Sequence, residues 1–272
     1  MERFVNNNKI EIHVTSNCSG LEHFIRDWNA NEDIYFCSEW NQNDQEEYSA
    51  YSKHIENLKI ESNLTKRIIS LNLLVNGAIF ISTKTNSFSI DFIKYHIKDV
   101  KLRHSITSDL YGSFYTNIIE EYPFEKNEEF YLENKGLPDT GNFDCLLFGI
   151  SKFDFVIRVL LFQAGLISVN NFNEKVATWN TLYKMIDTMR FGCRESGLNF
   201  DNIVDKSSLE KFTASCNSPM VLGINSRHGG QGNEIPESKH IKDIDEAISL
   251  ILSFAYSFTK EYVVKKSYIN LI

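Results

Sequence analysis

The sequence predicts an α+β protein: a mixed α/β segment over residues 1–135, followed by an all-α bundle over residues 136–272. Three observations carry this. Early stretches, residues 9–14 first among them, alternate apolar and polar side chains with the period of a half-buried strand. From residue 146 onward, apolar residues instead recur at intervals of three and four, which gives a helix one apolar face. Between the two regimes, Asn134-Lys-Gly-Leu-Pro-Asp-Thr-Gly-Asn142 concentrates turn formers and marks the domain boundary.

Taken in order, Lys9-Ile-Glu-Ile-His-Val14 reads as a first strand and Asp33-Ile-Tyr-Phe-Cys37 as a second. Between them Leu21, Phe24, Ile25 and Trp28 fall at helical spacing. The polar run 41–47 is read as a loop or as the start of a helix reaching Leu58. Leu64, Ile68, Leu71, Leu74, Val75 and Ile79 then share one face of an amphipathic helix, with Ser62 or Asn63 as its cap. Asn76-Gly77 leaves an alternative open, because that pair also ends helices or turns a hairpin. Residues 88–93 and 100–106 favour strands.

After the boundary, Leu146, Leu147, Ile150, Phe153, Ile157, Leu160 and Leu161 predict one apolar helix ending near Gly165. Val176, Trp179, Leu182, Tyr183, Ile186 and Met189 predict the next, with Arg190 in its last turn and Gly192 as its C-terminal glycine. Ser207 and Glu210 have the spacing of a capping box and open a third helix, which Pro219 limits. A last helix starts at Asp243 and carries Ile244, Ala247, Ile248, Ile251, Leu252, Ala255, Phe258 and Tyr262. Apolar stripes of this length are expected to pack as a bundle, since burial is worth about 25 cal/mol per Å² of apolar area.

Composition narrows the function classes. The chain has 272 residues, a net charge of −8 and 24% charged residues. That balance argues against a broad basic face for nucleic acid, while leaving room for a local one. Its five cysteines are scattered and include no C-x-x-C pair, so neither a zinc site nor a disulfide framework is expected. No metal or other cofactor is expected. The first nine residues lack the layout of a signal peptide. Charges and serines interrupt the apolar stretches near 146–161 and 248–258, so no membrane partner is expected and the cytoplasm is the expected location.

Chemistry concentrates in Gly223-Ile-Asn-Ser-Arg-His-Gly-Gly-Gln-Gly-Asn233. It places a permanent cation, Arg227, beside a titratable imidazole, His228. A histidine near its unperturbed pKa of about 6.5 serves as acid or base, and a guanidinium stabilises developing negative charge. Together they suit metal-free cleavage of RNA, with Arg227 and His228 as catalytic candidates and Asn217 and Asn225 as substrate-binding ones. The alternative is an ion pair and a helix cap within a glycine-rich turn.

Trp179-Asn-Thr-Leu-Tyr-Lys-Met-Ile-Asp187, then Phe212-Thr-Ala-Ser-Cys-Asn217, then Gly223-Ile-Asn-Ser-Arg-His-Gly229 before a helix opening at Asp243 resemble, in that order, Abi-like members of the HEPN superfamily. The resemblance covers about half the chain. It implies a helical bundle in a prokaryotic defence or toxin-type protein that binds and cleaves RNA, acts as a homodimer and answers to a regulatory protein partner. The family's nuclease motif is an arginine followed, after four to six intervening residues, by a histidine. The positions at those distances after Arg227 are Gly232, Asn233 and Glu234, and those before His228 are Gly223, Leu222 and Val221. His240 lies too far along the chain. A non-catalytic interaction or dimerisation module with a sensing N-terminal domain is therefore the other expectation.

Overall fold

The computed structural model of the protein describes residues 10–17, 19–28, 31, 33–58, 61–98, 102–106, 120–125, 143–167, 175–223, 226, 240–266 and 268. Five strands make one antiparallel sheet in the order β2-β3-β1-β4-β5: β1 (Ile10–Ser16), β2 (Tyr35–Trp40), β3 (Glu46–Tyr51), β4 (Ile90–Ile97) and β5 (Leu102–Ser105). Helices α1 (Leu21–Trp28), α2 (Lys53–Glu56) and α3 (Glu61–Thr83) are interleaved with them. The later described helices are α4 (Phe143–Ser151), α5 (Phe155–Leu166), α6 (Lys175–Ser196), α7 (Phe200–Ile203), α8 (Lys206–Asn217), α9 (Pro219–Leu222) and α10 (Ile244–Lys265). The architecture is α+β, as the periodicities predict.

The strands follow their alternation. Ile10, Ile12 and Val14 of β1 and Ile90, Phe92 and Tyr95 of β4 are buried, and the residues between them are more exposed. Ile93 is the extra residue of a bulge, since His13 pairs with Lys94 while Val14 pairs with Phe92. Residues 41–58 form no continuous helix. The Asn41 side chain accepts the N–H groups of Asn43 and Gln45 at 2.8 and 3.0 Å, and Asp44 takes a φ of 55°. This closes a β2–β3 hairpin, and only the short α2, capped by Ser52, follows β3.

Helix α3 differs from the amphipathic expectation in being buried on every side. Ile68, Ile69, Leu71, Leu73, Leu74, Val75, Ala78, Ile79, Phe80 and Ile81 are all buried, as befits a helix covered by neighbours all round. By length and composition, residues 63–83 are apolar enough to cross a membrane, and most of that stretch lies inside the fold. The helix also runs straight through Asn76-Gly77. Asn76 accepts the Ile90 N–H at 2.9 Å and donates to the Ile90 carbonyl at 2.8 Å, so its amide acts as a strand partner for the first residue of β4. Asn72 donates to the same carbonyl at 3.2 Å and accepts from Asn76 at 2.8 Å.

Gly77 serves a close approach. A methyl group there would collide with the Leu161 carbonyl of α5, and one at Gly165 would collide with the Leu73 carbonyl of α3. Each glycine faces the other helix's backbone one turn from its partner glycine, a reciprocal small-residue crossing with no room for a Cβ.

In the later helices the predicted apolar stretch 146–161 is two helices. Asp154 caps α5 by accepting the Ile157 N–H at 2.9 Å, and the corner at 152–154 precedes it. Gly192 does not end α6. The helix continues to Ser196 and closes at Gly197, at φ 71°, with the Leu198 N–H bonded to the Cys193 carbonyl at 2.9 Å. Gly192 instead admits Phe258 and Val156, whose carbons would lie 2.6 and 2.8 Å from an added methyl. The cap of α8 is Asp205, which accepts the Ser208 N–H at 2.7 Å, so the Ser207–Glu210 box is not used. Asp243 caps α10 as expected.

One hydrophobic cluster spans the sheet, α1, α3 and the later helices. The Trp28 ring meets Phe24, Phe36 and Phe148 edge-on or tilted, and its N–H donates to Asp144 at 2.9 Å. The expected boundary at 135/136 lies outside the described residues.

Gly77→Ala and Gly165→Ala are each expected to lower the unfolding free energy by about 3 kcal/mol or more, the upper end of overpacking costs. Gly149→Ala, whose added methyl meets nothing within 4 Å, is expected to gain up to about 1 kcal/mol from helix propensity. Urea denaturation of the three variants is the measurement, and a wild-type midpoint for Gly77→Ala would refute the close crossing.

Candidate functional site

The polar segment after α9 is where the sequence places its chemistry. Asn217 is the last residue of α8, and Ser218 and Pro219 open α9 behind it. Gly223 ends α9 at φ 59°, a left-handed conformation that favours glycine. Ser226 is buried and donates its N–H to the Gly223 carbonyl at 3.2 Å. Asn225, Arg227 and His228 lie outside the described residues.

The chain returns to the same place. The Ser215 hydroxyl of α8 accepts the Ile241 N–H at 2.7 Å, and Ile241 is buried. The return brings His240 back beside α9, where it lines a cavity of about 180 Å³ with Met220, Val221 and Lys242. Both ring nitrogens of His240 are buried without a hydrogen-bond partner, and so is the side-chain oxygen of Asn217. Buried polar atoms are usually paired, so their concentration at the base of this segment stands out. Sequence spacing had set His240 aside. Its position depends on a contact across 26 residues that no local pattern encodes.

A second concavity, of about 850 Å³, opens where β1, β3 and β4 meet the start of α1, lined by His13, Thr15, Ser19, His23, Glu47 and Lys94 among others. The register sets His13 between Ser49 and Lys94 on the open face of the sheet. Burial, and then the Lys94 charge, lower its pKa and favour the neutral imidazole.

A buried histidine–carboxylate pair is structural by its geometry. His54 is fully buried; its Nδ1 accepts the Glu125 N–H at 3.0 Å and its Nε2 meets Asp33 at 3.2 Å. The first contact requires Nδ1 to be bare, so Nε2 carries the proton given to Asp33. Lys152 adds contacts of 2.9 and 2.7 Å to the two Asp33 oxygens. Arg67 holds the His54 carbonyl at 2.8 Å and grips Glu120 with two bonds, of 2.8 and 2.6 Å. Both ring nitrogens are committed, which leaves no free position for substrate.

Compared with known proteins, the chain matches no family model, no curated protein and no solved structure.

Burial by itself raises the Asp33 pKa, but the His54 hydrogen bond and the Lys152 ammonium outweigh it and hold the carboxyl well below the usual carboxylate range. A depressed folded pKa contributes stability that is full above the unfolded value of about 3.9 and drains as pH falls toward the folded one. Asp33→Asn is expected to cost about 3–5 kcal/mol near neutrality by stranding Lys152. It is also expected to flatten the acid limb of the stability curve below about pH 4. Denaturant unfolding across that range measures both.

Proposed function

We propose that the helical half contacts RNA through the polar segment between Gly223 and His240, in a cytoplasmic protein of the prokaryotic defence or toxin type. The observation that carries this reading is the set of unpartnered buried polar atoms of Asn217 and His240 at the base of that segment. In this reading Arg227 neutralises phosphate charge, His228 acts as acid and base in metal-free cleavage, and Asn217 and Asn225 hold the strand. The sheet layer, with its groove at His13 and Lys94, is the sensing part.

A second reading, a non-catalytic interaction module, draws on a different observation. Phe155 is 62% exposed and Phe191 39% exposed, and both line a groove of about 340 Å³ between α5 and α6. Exposed aromatics over an apolar groove suit a protein partner or a second copy of the chain.

Fluorescence anisotropy with single-stranded RNA, repeated across salt concentrations, separates the two. The RNA reading expects wild-type binding that weakens with salt, and an Arg227→Ala slope shallower by about 0.7, one phosphate contact on a single strand. It also expects degraded host RNA on expression of the wild type and intact RNA with His228→Ala. The second reading expects no RNA binding by the wild type, together with a dimer in light scattering that Phe191→Asp splits.

A further inference from the structure

We infer that the concavity between β1, β3 and the start of α1 binds a short peptide with free termini. Its main chain meets the parted strand edges, its carboxylate meets Lys94 and its ammonium meets Glu22. The site is the groove assigned above to sensing; the consequence of binding rests on that reading, and the binding itself does not.

The sheet forks at this place. The β1–β3 ladder pairs Ile12 with Ala50, His13 with Ser49 and Val14 with Tyr48, and no pair among the described residues follows. Both strands nevertheless run on, β1 through Thr15 and Ser16 and β3 back to Glu47 and Glu46. Their far edges stay paired, Thr15 and Ser16 with Asp91 and Ile90 of β4, Glu47 and Glu46 with Glu39 and Trp40 of β2. The four residues that would extend the shared ladder line the concavity instead. Successive strand residues face opposite sides of a sheet. Consecutive residues of both strands stand on this wall, so the space reaches the strand edges themselves. A strand edge without a neighbour is a main-chain template on which an extended peptide adds.

Size and lining narrow the ligand. The volume of about 850 Å³ lies within the roughly 300–1,000 Å³ of sites that take a whole small molecule. Glu46 already accepts the Tyr48 hydroxyl at 2.8 Å, and Glu47 accepts the Asn41 amide at 3.0 Å. Lys94, half-buried, and Glu22, exposed, line the same space and have no hydrogen-bond or ion-pair partner among the described residues. They stand on different walls, Lys94 on β4 and Glu22 in the first turn of α1. A ligand with a carboxylate at one end and an ammonium at the other complements both. His13, paired with Lys94 across the ladder, is half-buried and also unpartnered among the described residues. Burial, and then the Lys94 charge, favour its neutral ring. A neutral imidazole offers one donor and one acceptor, as a peptide amide does. Ile93, at the bulge and 39% exposed, adds an apolar surface for a side chain.

Calorimetry of the full-length chain with alanyl-leucyl-alanine and its glutamyl and lysyl counterparts tests this. Nitrogen NMR of the His13 ring, assigned by its loss in His13→Gln, locates the binding. At least one tripeptide is expected to bind saturably and shift that ring. Acetylating its amine is expected to weaken binding about tenfold in the wild type and not in Glu22→Gln, the loss of one charged contact. Amidating its carboxylate is expected to do the same in the wild type and not in Lys94→Gln. Silence with all three tripeptides, equal affinity for the doubly blocked form, or equal affinity for free leucine would each overturn the site. RNA anisotropy at saturating tripeptide separates this from the broader reading. A tripeptide that binds and leaves RNA binding unchanged keeps the site and removes the sensing role. A chain that binds RNA and ignores every tripeptide keeps the RNA reading and loses the site.

Discussion

Everything in this fold is referred to the crossing of α3 over α5, where Gly77 and Gly165 let two helix backbones touch. Contact at that distance leaves no side chain between the helices to adjust, so the relative position of the two backbones is fixed by main-chain atoms. The faces of α3 turned away from the crossing are also committed. Asn72 and Asn76 hold the Ile90 backbone of β4, and Arg67 and Ser70 bond to Glu120. A helix held on each side cannot rotate or slide without stranding buried polar groups, each at about 1–3 kcal/mol. The sheet therefore inherits its place from the later helices through α3.

The corner between α4 and α5 repeats this logic with charge. Lys152 reaches Asp33 in the sheet layer, and Asp154 caps α5 while accepting the hydroxyls of Tyr262 and Tyr268 at 3.1 and 2.9 Å. Arg158 ties the corner to itself through the Ser151 carbonyl at 2.7 Å. A continuous helix through 152–154 would have satisfied the apolar periodicity equally well. It would have lost the helix start at which Asp154 caps the buried Ile157 N–H and the turn that aims Lys152 at Asp33.

This explains which features the sequence displays and which it hides. Local causes were legible: the alternation of β1, the apolar spacing of α1, the cap at Asp243 and the stop at Pro219 each depend on a few adjacent residues. Features with distant causes were not. Asn76-Gly77 is a turn signal in isolation, and only Ile90 and Leu161 convert it into a polar strut and a contact point. Ser207 and Glu210 have capping-box spacing, yet Asp205 starts the helix earlier because its carboxylate already accepts the Ser208 N–H. His54 and His240 carried no local signal, since their surroundings come from residues such as Asp33, Glu125 and Val221, well removed along the chain. Of the residues singled out for chemistry, Asn217 sits at the base of the polar segment, as its place at the end of a helix allowed.

The anchoring of that segment bears on why its sequence looks as it does. One end is fixed by Gly223 and the buried Ser226, the other by Ile241, which is buried and bonded to Ser215. Burying an isoleucine contributes about 1.5–3 kcal/mol, and a hydrogen bond adds about 0.5–1.5 kcal/mol. Closing a loop is only weakly sensitive to its length, with each doubling costing about 0.6 kcal/mol. The two described ends are thus each held by local contacts that do not depend on the length of chain joining them. Their residues are read for packing, as those of α3 are, while Arg227 and His228 are read from the sequence for chemistry.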